Sequence, residues 1–99
     1  MDARLSTELW TSWASMLRVY SAAHGFTSEH HAVVEVGAEE IVLRVDTRWA
    51  RFTRDEMTTS EGLSVGFAME VDGRIRIGDV TEDMDMAAEE VARGMFSSR

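Results

Sequence analysis

The residues best equipped for chemistry are His24, His30 and His31, three histidines within eight positions of the stretch HGFTSEHHAVVEV, residues 24–36. An imidazole can serve as general base, proton carrier or metal ligand. Zinc requires three or four nitrogen, oxygen or sulfur ligands converging at about 2 Å. His30 and His31 are neighbours in a segment that reads as a strand, so their side chains leave on opposite faces and cannot share one ion. His24 with either of them and Glu29 makes a two- or three-ligand group, without the His-x-x-x-His spacing of a helical site. A histidine at a helix end is also explained by its interaction with the last carbonyls. The three histidines are therefore minor metal candidates. The expectation is a polar connection between helix and strand, with no metal and no cofactor.

Two other stretches carry charge in quantity. In and just before TEDMDMAAEE, residues 81–90, Asp79 and Asp83, and Asp85 and Glu89, fall four apart on what reads as one helix. Paired carboxylates catalyse acid–base chemistry only when their surroundings separate their pKa values. The same residues suit a first helical turn and a solvated face. RVDTRWARFTR, residues 44–54, interleaves four Arg with Trp49 and Phe52. Arginine with aromatics can stack bases, and it is also the composition of protein interfaces. Residues 55–99 carry eleven acids against four Arg, so the Arg row has acids to pair with inside the chain or across subunits. Arg44, Arg48, Trp49, Arg51 and Phe52 are the candidate interaction residues.

Other chemistry finds no support. The chain has no Gly-rich phosphate loop, no His-Glu-x-x-His and no Gly-x-Ser-x-Gly. Without cysteine there is no disulfide, thiolate site or cysteine nucleophile. Trp10, Trp13, Met16, Met69, Met84 and Met95 fall at helical and strand spacing. They can converge as plain core, or line an adaptable ligand pocket between helices and sheet.

The elements that must position these groups follow from periodicity. Leu5, Leu9, Trp13, Met16 and Tyr20 recur at steps of three and four, which predicts a helix over residues 3–24. Ser6, Thr7 and Glu8 suit its N-terminal turn, Gly25 its stop, and Phe26 can fold back onto Tyr20. From residue 30 the period changes to two. Strands 31–36 and 40–46 read as a hairpin around Gly37-Ala38-Glu39, and 49–52 as a short further strand. Residues 57–62 read as a polar loop. Leu63, Val65, Phe67, Met69 and Val71 alternate with small or polar residues, and Asp72-Gly73 then signals a two-residue turn into a strand at 74–78. A last helix is expected from Asp79 or Thr81 to about Phe96, with Glu82, Asp83 and Asp85 in its first turn.

One arrangement satisfies this order of helix, four or five antiparallel strands, and helix. It is an α+β two-layer sandwich formed by residues 1–99 as a single domain, with both helices on the apolar sheet face. Arg44, Arg48, Glu70, Arg74 and Arg76 are expected on the other face.

Composition narrows the function classes. The 99 residues hold one modest core, and 44% apolar content is that of a folded chain. A net charge of −8 disfavours nucleic-acid binding and association with anionic membranes. The apolar runs fall far short of the roughly 20 residues that span a bilayer, and the N-terminus lacks a signal pattern, so a cytoplasmic location is expected. All ten cations are Arg, and Lys, Asn, Gln and Pro are absent, as a GC-rich bacterial genome produces. In size, acidity and element order the chain is similar to small bacterial secretion chaperones and other dimeric adaptors, a likeness of class with no motif behind it. The functional expectation is a non-enzymatic protein-interaction module acting as a homodimer. The alternative is a small-molecule-binding domain with a Met/Trp-lined pocket, and a hydrolase or metal enzyme using the histidines is third.

Overall fold

The computed structural model describes residues 2–26 and 28–97. Helix α1 (Ala3–Phe26) is followed by seven strands and helix α2 (Met84–Phe96). The strands are β1 (Ala32–Val36), β2 (Ile41–Val45), β3 (Arg48–Phe52), β4 (Glu56–Thr59), β5 (Ser64–Met69), β6 (Arg74–Ile77) and β7 (Val80–Asp83). Each pairs antiparallel with the next, so the sheet is a meander ordered β1 to β7. Both helices pack on one face, and the α+β two-layer reading holds with seven strands instead of four or five.

Register sets which side chains meet the helices. Ile41 lies opposite Phe52, Leu43 opposite Ala50, Phe52 opposite Met57, and Phe67 opposite Ile77. With Val45 and Ile75 these form the helix-side face and are buried, apart from half-buried Ile77. Trp10, Trp13, Ala14 and Leu17 of α1, and Met84, Ala87, Ala88 and Met95 of α2, close the core over them. At its centre Trp13, Phe52 and Phe67 contact one another, with ring centroids 5.3, 5.6 and 5.2 Å apart. The six Trp and Met residues weighed as a pocket lining are instead in this core or packed against it.

The connections depart from expectation in three places. Asp72-Gly73 is not a two-residue turn. Glu70 N donates to Arg74 O at 2.8 Å and Gly73 N to Glu70 O at 2.9 Å, which closes a three-residue loop with Gly73 at φ +87°. The same loop recurs at residues 59–63, where Thr59 N donates to Leu63 O, Gly62 N donates to Thr59 O, and Gly62 has φ +92°. A three-residue hairpin of this kind needs one left-handed residue at its end, and glycine supplies it. Residues 57–62 are thus a strand end and a hairpin, not a loop without structure. The third departure is β7: Ile77 and Val80 face each other across a Gly78-Asp79 turn, so Glu82 and Asp83, expected in the first turn of the last helix, lie in a strand before it. Helix α2 starts at Met84 with only Asp85 in its first turn.

The ends of α1 also differ. Its N-cap is Asp2, whose Oδ1 accepts the Leu5 N–H at 2.8 Å, so Ser6 to Glu8 lie inside the helix. Gly25 is helical, and Phe26 is 90% exposed instead of folding onto Tyr20. The aromatic that covers this end is Phe96 of α2, stacked on the His24 ring at a centroid distance of 5.7 Å.

Candidate functional site

The histidines are dispersed among separate partners. His24 Nε2 lies 3.1 Å from Glu89 Oε2 on α2. His30 Nδ1 meets Asp46 Oδ2 at 2.5 Å, and the His31 backbone N–H donates to Asp46 Oδ1 at 3.0 Å. Asp46 sits at φ +57° in the β2–β3 turn, a conformation Asp tolerates, and there it ties the start of β1 to the turn. The His31 N–H, and then the His30 ring, hold its carboxyl below the usual aspartate range. Among the described residues no three His, Asp or Glu side chains converge to hold a metal ion.

The acids of α2 make a polar seam with α1. Tyr20 Oη donates to Asp85 Oδ1 at 2.6 Å, and one turn further on His24 meets Glu89, which Arg93 also reaches at 3.0 Å. The Tyr20 hydroxyl is held above its ordinary value because Asp85 accepts its proton in a hydrogen bond and repels a phenolate. Asp79 and Asp83 do not share a helix face, since one lies in a turn and the other ends β7.

Each arginine of the 44–54 stretch has a partner inside the chain. Arg44 pairs with Glu35 at 3.0 Å on the outer sheet face, and Arg51 with Glu40. Arg54 donates to Ser6 Oγ at 2.6 Å and lies 4.4 Å over the Trp10 ring. Arg48 was expected on the outer face, but it lies opposite Val45 and turns to the helix side. Its guanidinium donates to the carbonyls of Gly94, Met95 and Ser97 at 2.8–3.2 Å, at the C-terminus of α2. The reason is local: the last carbonyls of a helix lack intrahelical donors and attract a cation. Of the two aromatics, Phe52 is fully buried in the core, and Trp49 is half-buried opposite Arg44.

Arg48 also forms one wall of a groove that the sequence did not reveal. Between α2 and the β3–β5 end of the sheet lies an open space of about 260 Å³, lined by Arg48, Met57, Leu63, Glu90, Val91 and Met95, with Trp49 and Glu61 also in contact. The Thr59–Leu63 hairpin carries Leu63 to this place and leaves it 49% exposed. Glu90 adjoins Glu82 of β7, and the hydrogen bond between the two carboxyls raises the Glu82 pKa above its ordinary value. The groove is therefore apolar at its floor, with Arg48 on one side and Glu90 on another. Only the regular alternation through Leu63 could have flagged it, as an inward-pointing residue beyond the reach of either helix. Compared with known proteins, the chain matches no family model, and neither a curated protein nor a solved structure matches it.

Proposed function

We propose that the protein is a protein-binding module that works as a homodimer and receives its partner in the groove between α2 and the β3–β5 end of the sheet. The observation that supports this is Leu63, half in water on the face that the helices otherwise cover, beside Met57, Val91 and Met95. An apolar patch with a polar margin is the form of an interaction surface, and a partner's apolar side chain seated there would complete the desolvation. Glu90 in the lining, with Glu82 beside it outside the groove, favours a partner that presents a cation next to that side chain. A second copy offers Arg74 and Arg76, both exposed on the outer sheet face and neither in an ion pair among the described residues.

Light scattering and sedimentation between about 10 and 500 μM test the dimer by mass action. The wild type is expected to shift from monomer to dimer across that range, and Leu63→Ser to remain monomeric. A wild type that stays monomeric throughout would remove the dimer from this reading. The alternative, a small-molecule site, draws on the Met and Trp residues in the groove lining. The volume argues against it, since about 260 Å³ lies below the roughly 300–1,000 Å³ typical of such pockets. A thermal shift with a metabolite panel, lost in Val91→Trp, would reverse that preference.

A further inference from the structure

The edge of β1 and the C-terminal half of α1 bound a second groove of about 270 Å³, which shares no lining residue with the first. Three of its features lack partners among the described residues. The first is the strand edge. His31 O accepts from Asp46 N at 3.0 Å, and Gly37 N donates to Glu40 O at 2.8 Å. Odd-numbered residues of β1 therefore turn their amide groups towards β2. In an antiparallel ladder the alternate residues point the other way, so the N–H and C=O groups of Ala32, Val34 and Val36 face outward from a terminal strand.

The second feature is Ser21, which lines the groove at 3% exposure with a hydroxyl that has no hydrogen-bond partner among the described residues. Buried hydroxyls ordinarily have one. The third is charge. The guanidinium of Arg18, exposed at the groove, makes no ion pair or hydrogen bond with any described residue, and neither does the imidazole of His31. His30, beside them, is held by Asp46. Among the described residues no Asp or Glu lines the groove, in a chain whose net charge is −8.

We propose that this groove binds an extended peptide segment bearing a carboxylate, added to β1 as a further strand. The segment's main chain pairs with Ala32, Val34 and Val36, and its carboxylate lies between Arg18 and His31 within reach of the Ser21 hydroxyl. Strand addition of this kind takes affinity from backbone bonds and specificity from alternate side chains. Trp10 Nε1 donates to Gly37 O at 2.9 Å and closes the angle between α1 and β1 at one end. The groove consequently opens along Arg18, Ser21 and Ala22. A second copy joined β1 to β1 would bring two Arg18 side chains to one groove with no lining carboxylate between them, so an acidic segment is the better match.

The test uses the full chain and three short peptides of alternating valine. One has glutamate between the valines and blocked ends, one has glutamine and blocked ends, and one has glutamine and a free C-terminal carboxylate. Amide shifts and hydrogen exchange in a labelled sample report the site. The glutamate peptide is expected to protect the Ala32 and Val34 amides and to bind about tenfold tighter than the blocked glutamine peptide, as a charge-assisted contact does. Arg18→Glu is expected to abolish that preference at an unchanged melting temperature, because Arg18 is exposed and unpaired. Should Arg18→Glu fail to fold, Arg18→Gln carries the same comparison. Tight binding of the free-carboxylate peptide alone would assign the site to chain termini, and of the glutamate peptide alone to acidic side chains; both support the proposal. Equal binding of all three, shifts confined to Leu63 and Val91, or no shift at about 1 mM peptide would overturn it.

Discussion

The guanidinium of Arg48, on β3, donates to the carbonyl oxygen of Met95, in the last turn of α2, at 2.8 Å. This contact joins β3 to a helix residue 47 positions further along the chain, and Arg48 sets one wall of the groove at Leu63. Two further carbonyls, of Gly94 and Ser97, accept from the same group.

Replacing Arg48 by Met keeps much of the stem and removes the donors. Hydrogen bonds to a charged group contribute about 1.5–3 kcal/mol each when buried, and Arg48 is partly exposed, so the variant is expected to lose about 2 kcal/mol. Arg48→Lys should recover part of this, since a cation near the helix terminus remains. Urea unfolding of the three proteins decides. Equal stabilities would show that water satisfies the α2 carbonyls as well as Arg48 does.

The Trp13, Phe52 and Phe67 cluster sets a second expectation. All three rings are buried, and Phe→Ala in a core costs about 3–5 kcal/mol. Against a total stability of roughly 5–15 kcal/mol, Phe52→Ala is expected to lower the melting temperature steeply. Phe52→Leu, closer in volume, should cost less than half as much. A double-mutant cycle with Trp13→Leu should return about 1 kcal/mol of coupling from the edge-on ring pair. An Ala variant within error of wild type would contradict the packing.

These residues also show how far the sequence could be read. Phe52 and Phe67 were each legible as strand residues, and alternation put Phe67 inward. The Thr59–Leu63 hairpin was hidden because Met57 is the lone large apolar residue of β4, too little for a period of two. Its glycine, three places after Thr59, marks the same loop as the glycine three places after Glu70. Strand β7 was concealed by its acids, which suit a helical first turn as well as a hairpin edge. The direction of Arg48 depends on β3 beginning at residue 48 and not 49, and one residue of register reverses a side chain's face. The Ser21 hydroxyl and the Leu63 groove arise where separate elements meet, and no local pattern encodes such a meeting.

Asp46 combines a left-handed backbone with two acceptor contacts. Asp46→Asn keeps the tolerated backbone and one acceptor, whereas Asp46→Val loses both and strains φ. Melting temperatures are expected to fall in the order wild type, Asn, Val. Because the folded pKa of Asp46 lies below its unfolded value, its contribution is present above the ordinary aspartate range and lost as pH falls through the folded value. The gap between wild type and Asn should narrow on acidification. A gap independent of pH would locate the effect in the backbone alone.

Zinc or nickel is expected to leave the melting temperature unchanged, because His24, His30 and His31 answer to Glu89, Asp46 and solvent separately. A stoichiometric shift that disappears in His30→Ala would reveal convergence of ligands in solution.

The carboxyls of Glu82 and Glu90 give a pH dependence of the opposite sign. Glu82 is raised above its ordinary value by its hydrogen bond to Glu90, with burial and the Glu90 charge adding to the shift. A carboxyl whose folded pKa exceeds its unfolded value stabilises below the unfolded value, and the contribution is lost as pH rises through the folded one. Folding with both groups ionised places like charges together beside the groove. Glu90→Gln removes that repulsion and leaves a donor for Glu82. The variant is therefore expected to melt higher than wild type at neutral pH, and the difference should shrink as pH falls towards the ordinary glutamate range. Thermal unfolding from about pH 4 to 8 spans the window. If binding at Leu63 takes cations beside Glu82 and Glu90, the same substitution should weaken association at neutral pH while it stabilises the fold. A variant that gains stability without losing association would separate the carboxyl pair from the groove.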